Sequence, residues 1–268
     1  MALPHRHAQF VDLTSGSITI PAYRAMPEAA PQGGVVVLQE IFGVNTHIRD
    51  ITERLARQGY AAIAPALYHR QAPGFEAGYT PDDIAVGRKY KLRTQADELL
   101  QDVQAAVDHL KGQLDSSKVG PRGGPEPGPE SGPESGPKIG CIGFCFGGHV
   151  AYLAATLPDV AATASFYGAG IATWCPGSEP QRGPTTLART PQISGEVQCF
   201  FGKEDASIPA AEVEQIEAAL RQAGLTHQIF RYDGAGHGFF CDRRESYRPE
   251  AAADAWEKVL DLFGRVLR

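Results

Sequence analysis

Short apolar and β-branched runs alternate with amphipathic stretches along most of this 268-residue chain, and that alternation leaves few folds open. Val35-Val-Val-Leu-Gln39, Tyr60-Ala-Ala-Ile-Ala64, Lys138-Ile-Gly-Cys-Ile-Gly143, Ala161 to Tyr167, Val197-Gln-Cys-Phe-Phe201 and His227 to Tyr232 read as strands. Helices are predicted from about Thr46 to near Gly59, from Thr80 with Pro81 at its first position, and from near Thr94. The last of these carries Leu99, Val103, Ala106, Val107 and Leu110 on one stripe. Further helices are expected from His149 to Ala155, Pro209 to Ala223 and Pro249 to Val266. Repeated βα units place helices on both faces of a mostly parallel sheet, so the fold class is α/β. Ser17 to Tyr23 alternates like an exposed antiparallel strand.

One segment departs from the pattern. Residues 120–137 are mostly Gly and Pro and hold nothing apolar enough to repay the entropy of ordering. They read as a flexible insertion within a single domain spanning residues 1–268, since long surface insertions add little closure entropy. A Pro-rich partner-binding arm is the other reading.

Hydrophobic residues at 43% and charged residues at 21% exclude wholesale disorder. A net charge of −6 argues against nucleic acid as a partner, which needs a basic footprint. No apolar run spans a bilayer, and five cysteines without a C-x-x-C pair suit a reducing compartment. The expected location is the cytoplasm, and the expected state a monomer without membrane contact.

The most specific local signal is Gly143-Phe-Cys-Phe-Gly-Gly148. It has the G-x-nucleophile-x-G pattern between a predicted strand and a predicted helix. The sharp turn would lift the Cys145 sulfur above the sheet edge, at a helix N-terminus whose partial positive charge favours thiolate. A buried structural cysteine beside packing glycines is the plainer reading. A thiol nucleophile needs a histidine, and the histidine needs a carboxylate. Asp205 follows a strand in Phe201-Gly-Lys-Glu-Asp205, and His237 lies on the Gly-rich loop Gly234 to Phe239. Asp205 is preferred to Glu204 because its short side chain suits a fixed loop position. The order Cys145, Asp205, His237 is the order of an α/β hydrolase. His149, just inside the elbow helix, reads as a packing or capping residue. No dinucleotide, P-loop or zinc-protease motif is present, so neither a cofactor nor a metal is expected.

Taken together, Gln39-Glu-Ile-Phe-Gly-Val-Asn45, the Cys145 elbow, Asp205 and Gly236-His-Gly238 resemble the dienelactone hydrolase (carboxymethylenebutenolidase) family. Pro65-Ala-Leu-Tyr68, Arg70-Gln-Ala-Pro73 and Tyr90-Lys-Leu92 extend the resemblance to nearly the whole chain outside the insertion. It implies an eight-stranded α/β-hydrolase sheet and a Cys-His-Asp triad. It also implies that Glu40 helps convert the resting thiol to thiolate, and that the backbone N–H groups of Ile41 and Phe146 form an oxyanion hole. The family's carboxylate-binding arginine, four residues past the histidine, is replaced here by Cys241. Arg243 and Arg244 lie nearby, and Arg88 lies in a helix placed to cover the pocket; Arg88, Tyr90 and Arg243 are the candidates chosen for substrate contact. The expected activity is hydrolysis of a lactone or ester through an acyl-thioester, of the kind that converts carboxymethylenebutenolide to maleylacetate. A broader carboxylesterase or thioesterase is the alternative, and a non-catalytic or thiol-redox protein a further one.

Overall fold

The computed structural model describes residues 7–118, 136–179 and 182–268. All but the last two residues of the Gly/Pro-rich insertion expected at 120–137 therefore lie outside the described residues.

Eight strands form one sheet. In chain order they are β1 (Ala8–Ser15), β2 (Ile18–Ala25), β3 (Gly34–Leu38), β4 (Ala61–Pro65), β5 (Ile139–Phe144), β6 (Val160–Phe166), β7 (Glu196–Gly202) and β8 (His227–Tyr232). Their spatial order is β1-β2-β4-β3-β5-β6-β7-β8. The pairs β1/β2 and β2/β4 are antiparallel, and every other pair is parallel. This is the α/β-hydrolase fold.

The parallel strands are buried on both faces, which is why they read as continuous apolar runs rather than alternations. Successive residues divide between two cores. Val35, Val37, Ile142 and Phe144 join one, with Ile48, Ile51 and Leu55 of α1 (Thr46–Arg57) and Val259, Leu262 and Phe263 of α6 (Pro249–Val266). Val36, Leu38, Ile139 and Cys141 join the other, with the stripe of α3 (Ala96–Lys118) and Val150, Ala151 and Ala154 of α4 (Phe146–Ala154). Leu99, Val103, Val107 and Leu110 on α3 are almost wholly buried. Each is worth about 1.5–3 kcal/mol of removed apolar surface.

Local chemistry sets the helix starts. The Asn45 side chain accepts from the Ile48 N–H and caps α1. Thr80 and Asp83 close a reciprocal capping box on α2 (Pro81–Lys91), with Pro81 where its missing N–H costs nothing. The strand from Ser17 is antiparallel to both its neighbours, β2 lying between β1 and β4. Its outer neighbour β1 is AQFVDLTS, too polar to announce itself by pattern. The elbow helix starts at Phe146 rather than His149, because Cys145 itself occupies the N-cap position. An unforeseen 3-10 turn at Thr186–Gln192 exists to serve buried partners. Its Thr186 hydroxyl lies 2.6 Å from His149 Nε2, and its Thr190 hydroxyl 2.7 Å from Tyr152 Oη.

His149 is a packing residue, as expected. Its Nδ1–H donates to the Ala169 carbonyl at 2.9 Å, so Nε2 accepts from Thr186 and the ring is neutral. Burial holds it down to about 3, with the Lys91 charge acting in the same sense and the Ala169 carbonyl against. A histidine depressed in the folded state takes its proton first in the unfolded chain. Its stabilisation is therefore complete above pH ~6.5 and declines as pH falls towards 3. Between pH 6 and 5, wild-type unfolding free energy should drop by about 1.2 kcal/mol more than that of His149→Gln, measured by urea denaturation. Equal slopes would show that His149 does not titrate between the two states.

Candidate active site

Two glycines let the chain turn at Cys145. A Cβ on Gly143 would lie 1.9 Å from the Gly147 carbonyl oxygen, and one on Gly147 would lie 2.2 Å from the Leu38 oxygen of β3. Any side chain at either position would push α4 away from β5 or β3. Cys145 takes φ +56° and ψ −115°, an unfavourable conformation for a residue with a Cβ. It is held there by its N–H on the Phe166 carbonyl (3.0 Å) and its carbonyl on the His149 N–H (3.1 Å). The sulfur thus stands at the C-terminal end of the central strand β5 and at the N-terminus of α4.

Asp205 and His237 come from the loops after β7 and β8. Asp205 is buried, and its two oxygens have separate tasks. Oδ1 accepts from the Ser207 N–H at 2.8 Å, and Oδ2 accepts from His237 Nδ1–H at 2.8 Å. The opposite ring nitrogen, His237 Nε2, lies 3.1 Å from Cys145 Sγ. The ring of Tyr167 packs edge-on against the imidazole at 5.2 Å between centroids. Carboxylate, imidazole and thiol therefore stand in one hydrogen-bonded line, as their order in the chain predicts.

The electrostatics favour an ion pair across that line. Burial alone would raise the Cys145 thiol, but the charge and hydrogen bond of His237 overcome it and lower the thiol below its usual range; Glu40 opposes this and Lys91 assists. Burial alone would lower His237, but the Cys145 thiolate and the Asp205 hydrogen bond raise it well above an ordinary histidine. The two shifts describe one event, transfer of the thiol proton to the imidazole.

A cavity of about 170 Å³ lies over the sulfur. Ile41 and Phe146, whose N–H groups are the candidate oxyanion donors, both line it. From α2 come Ile84, Arg88 and Lys91, spaced four and three residues apart and so on one helix face. Tyr90 falls on another face and packs against Phe75 and Tyr68 at 4.9 and 5.8 Å. The second arginine of the cavity is Arg244, not Arg243, which borders a separate cavity beside His47 and Tyr79. Adjacent residues of one turn point in different directions, so the sequence could not choose between them. Lys91 was missed, although its i+3 spacing from Arg88 was the available signal. Its ammonium lies 5.1 Å from the centre of the Trp174 ring.

Glu40 follows β3 and is fully buried. Its Oε1 accepts from Arg244 Nη1 at 3.3 Å, whereas Oε2 has no hydrogen-bond partner. Burial raises its carboxyl, against the pull of Arg244 and His237. No helix among the described residues is long and apolar enough to cross a membrane.

Comparison with known proteins identifies the family. The family model described as "Dienelactone hydrolase family" matches residues 20–123 and 130–267. A Synechocystis relative named "Putative carboxymethylenebutenolidase" is 51% identical, over 96% of this chain and 99% of its own length. A protein of the same name from Escherichia coli K12 is 33% identical, over 96% of this chain and 86% of its own. A Klebsiella pneumoniae crystal structure, titled as a dienelactone hydrolase of putative assignment, superposes with a TM-score of 0.74 at 32% identity, covering 96% of this chain and 98% of that one. The chain therefore belongs to the dienelactone hydrolase family and is an α/β-fold hydrolase of carboxylic ester bonds.

Proposed function

We propose that this enzyme hydrolyses a carboxylate-bearing lactone or ester, of the carboxymethylenebutenolide type, with Cys145 as nucleophile. The observation that carries the reading is the unbroken line Asp205–His237–Cys145 at 2.8 and 3.1 Å beneath a cavity. In the reaction the Cys145 thiolate attacks the ester carbonyl carbon. The carbonyl oxygen becomes an oxyanion held by the Ile41 and Phe146 N–H groups, donors typically worth ~3 kcal/mol each. Collapse breaks the carbon–oxygen bond, and His237 passes its proton to the departing oxygen. The acyl-thioester remains on Cys145. His237, now neutral and oriented by Asp205, takes a proton from water, whose oxygen attacks the thioester and releases the acid and the thiolate.

Three cations at the cavity support an anionic substrate. Arg88 and Lys91 have no carboxylate within ion-pair reach among the described residues, and Arg244 is shared with Glu40. A substrate carboxylate drawn to Arg244 competes with Glu40 for it. The freed Glu40 carboxylate can then accept the thiol proton of any enzyme resting as thiol, which is the role the family resemblance implies for it. Neutral esters lack that trigger.

Three measurements test this reading. Cys145→Ala should abolish ester turnover while the thermal melt stays close to wild type; retained turnover would exclude Cys145 as nucleophile. In wild type, alkylation of Cys145 by iodoacetamide should persist below the ordinary thiol range near ~8.5. In His237→Ala the alkylation midpoint should move above that range, because burial then acts unopposed. For substrate class, Lys91→Met should lower kcat/KM for an anionic enol lactone about 10- to 100-fold, the loss of one charged contact of about 1.5–3 kcal/mol. Hydrolysis of a neutral aryl acetate should change less than about threefold. Equal losses on both substrates would point to the broader esterase instead.

A further inference from the structure

We infer that Glu40, His47 and Cys241 form a binding site for one borderline-soft divalent cation, Zn²⁺ being the type, set behind the cavity over Cys145. The inference goes beyond the hydrolytic reading and does not rest on it; an ion held there withholds Glu40 from the proton-accepting role given to it above, so the two are alternative states of one carboxylate.

The three residues come from separate parts of the chain: the end of β3, the first turn of α1 and the loop after His237. Each offers one donor atom, and the three donors lie within 4.8 Å of one another. All three side chains are buried. Two of the residues carry a buried polar atom with no hydrogen-bond partner, Glu40 Oε2 and His47 Nε2. A buried polar atom left unpaired costs about 1–3 kcal/mol, so two beside one thiol need an account. Neither the triad nor the oxyanion donors use His47 or Cys241.

The chemistry of the set selects the ion. Carboxylate, imidazole and thiolate together suit zinc, whereas magnesium or calcium would take oxygen donors alone. With zinc bonds of ~2.0–2.3 Å in tetrahedral geometry, neighbouring donors sit roughly 3.5 Å apart. The side chains must therefore close by about 1 Å, a shift within reach of small side-chain rotations. Binding replaces the Cys241 thiol proton, and any proton on Glu40, which pass to solvent. The two anionic donors then offset the charge of the ion, with Glu40 shared between it and Arg244. The remaining oxygen, Glu40 Oε1, keeps its Arg244 partner at 3.3 Å. A cavity of about 420 Å³ is lined by Asn45, Thr46, His47, Tyr79 and Arg243. The Tyr79 hydroxyl lies 3.3 Å from Cys241 Sγ and 3.2 Å from Asn45 Nδ2. Tyr79 or a water is thus placed to complete the coordination.

The test uses full-length Cys145→Ser protein, so that the nucleophile cannot contribute a thiolate. Titration with Co²⁺ should give one equivalent with a thiolate-to-cobalt charge-transfer absorption, displaced by Zn²⁺ and accompanied by proton release. Adding Cys241→Ser should abolish the absorption. Adding His47→Gln should weaken zinc affinity at least tenfold against a chromophoric chelator. Matching circular dichroism melts establish that each variant is folded. If His47→Gln fails to fold, Cys241→Ser and the proton release decide alone. Absence of the charge-transfer band, its survival in Cys241→Ser, or zinc affinity unchanged by His47→Gln in folded protein would overturn the proposal.

Discussion

The close packing of α4 against β3 is what everything at this site rests on. Backbone approaches backbone there so nearly that no Cβ fits at Gly143 or Gly147. The approach fixes where Cys145 can stand, and it forces that residue to a positive φ. Such a conformation costs on the order of 1–3 kcal/mol and persists only when its surroundings over-determine it. Here they do. The residue is tied through its own N–H and carbonyl, β5 is buried on both faces, and α4 is covered along its whole length. The strain places a thiol where it meets both a helix N-terminus and a histidine, which no unstrained strand residue could reach.

Electrostatics at the cavity run against those of the molecule. The chain carries a net charge of −6, yet His237, Arg88, Lys91 and Arg244 gather around one sulfur. In a buried setting such charges act with little screening, so they favour thiolate over thiol and an anion over a neutral guest. Glu40 is a carboxylate set close against Arg244, as Asp205 is against His237, and the pairing to Arg244 keeps Glu40 from cancelling the effect. The same pairing links what the cavity binds to the ionisation of Cys145. A substrate that engages Arg244 alters the field at Cys145 without touching the sulfur.

Much of this was legible before any coordinates. The parallel strands declared themselves because burial on both faces demands unbroken apolar runs. The Cys145 elbow did so because only glycine tolerates the contacts that flank it. Asp205 and His237 were legible from loop position and chain order. β1 was not, since an edge strand is half exposed and its residues AQFVDLTS satisfy no strict period. Nor was the choice of Arg244 over Arg243, because consecutive residues in a turn diverge by the local backbone path. Lys91 was hidden among basic neighbours, although helix spacing from Arg88 marked it.

The sequence alone settled the class of fold, the turn that raises the cysteine and the order of the groups behind it, because each depends on local sterics or on a repeating pattern of burial. Only the tertiary structure decided which cations face the sulfur, that Glu40 is buried against Arg244, and that Glu40, His47 and Cys241 meet. Those are contacts between segments as many as about two hundred residues apart, as between Glu40 and Arg244. No local pattern encodes the direction of a side chain once the chain has folded back on itself.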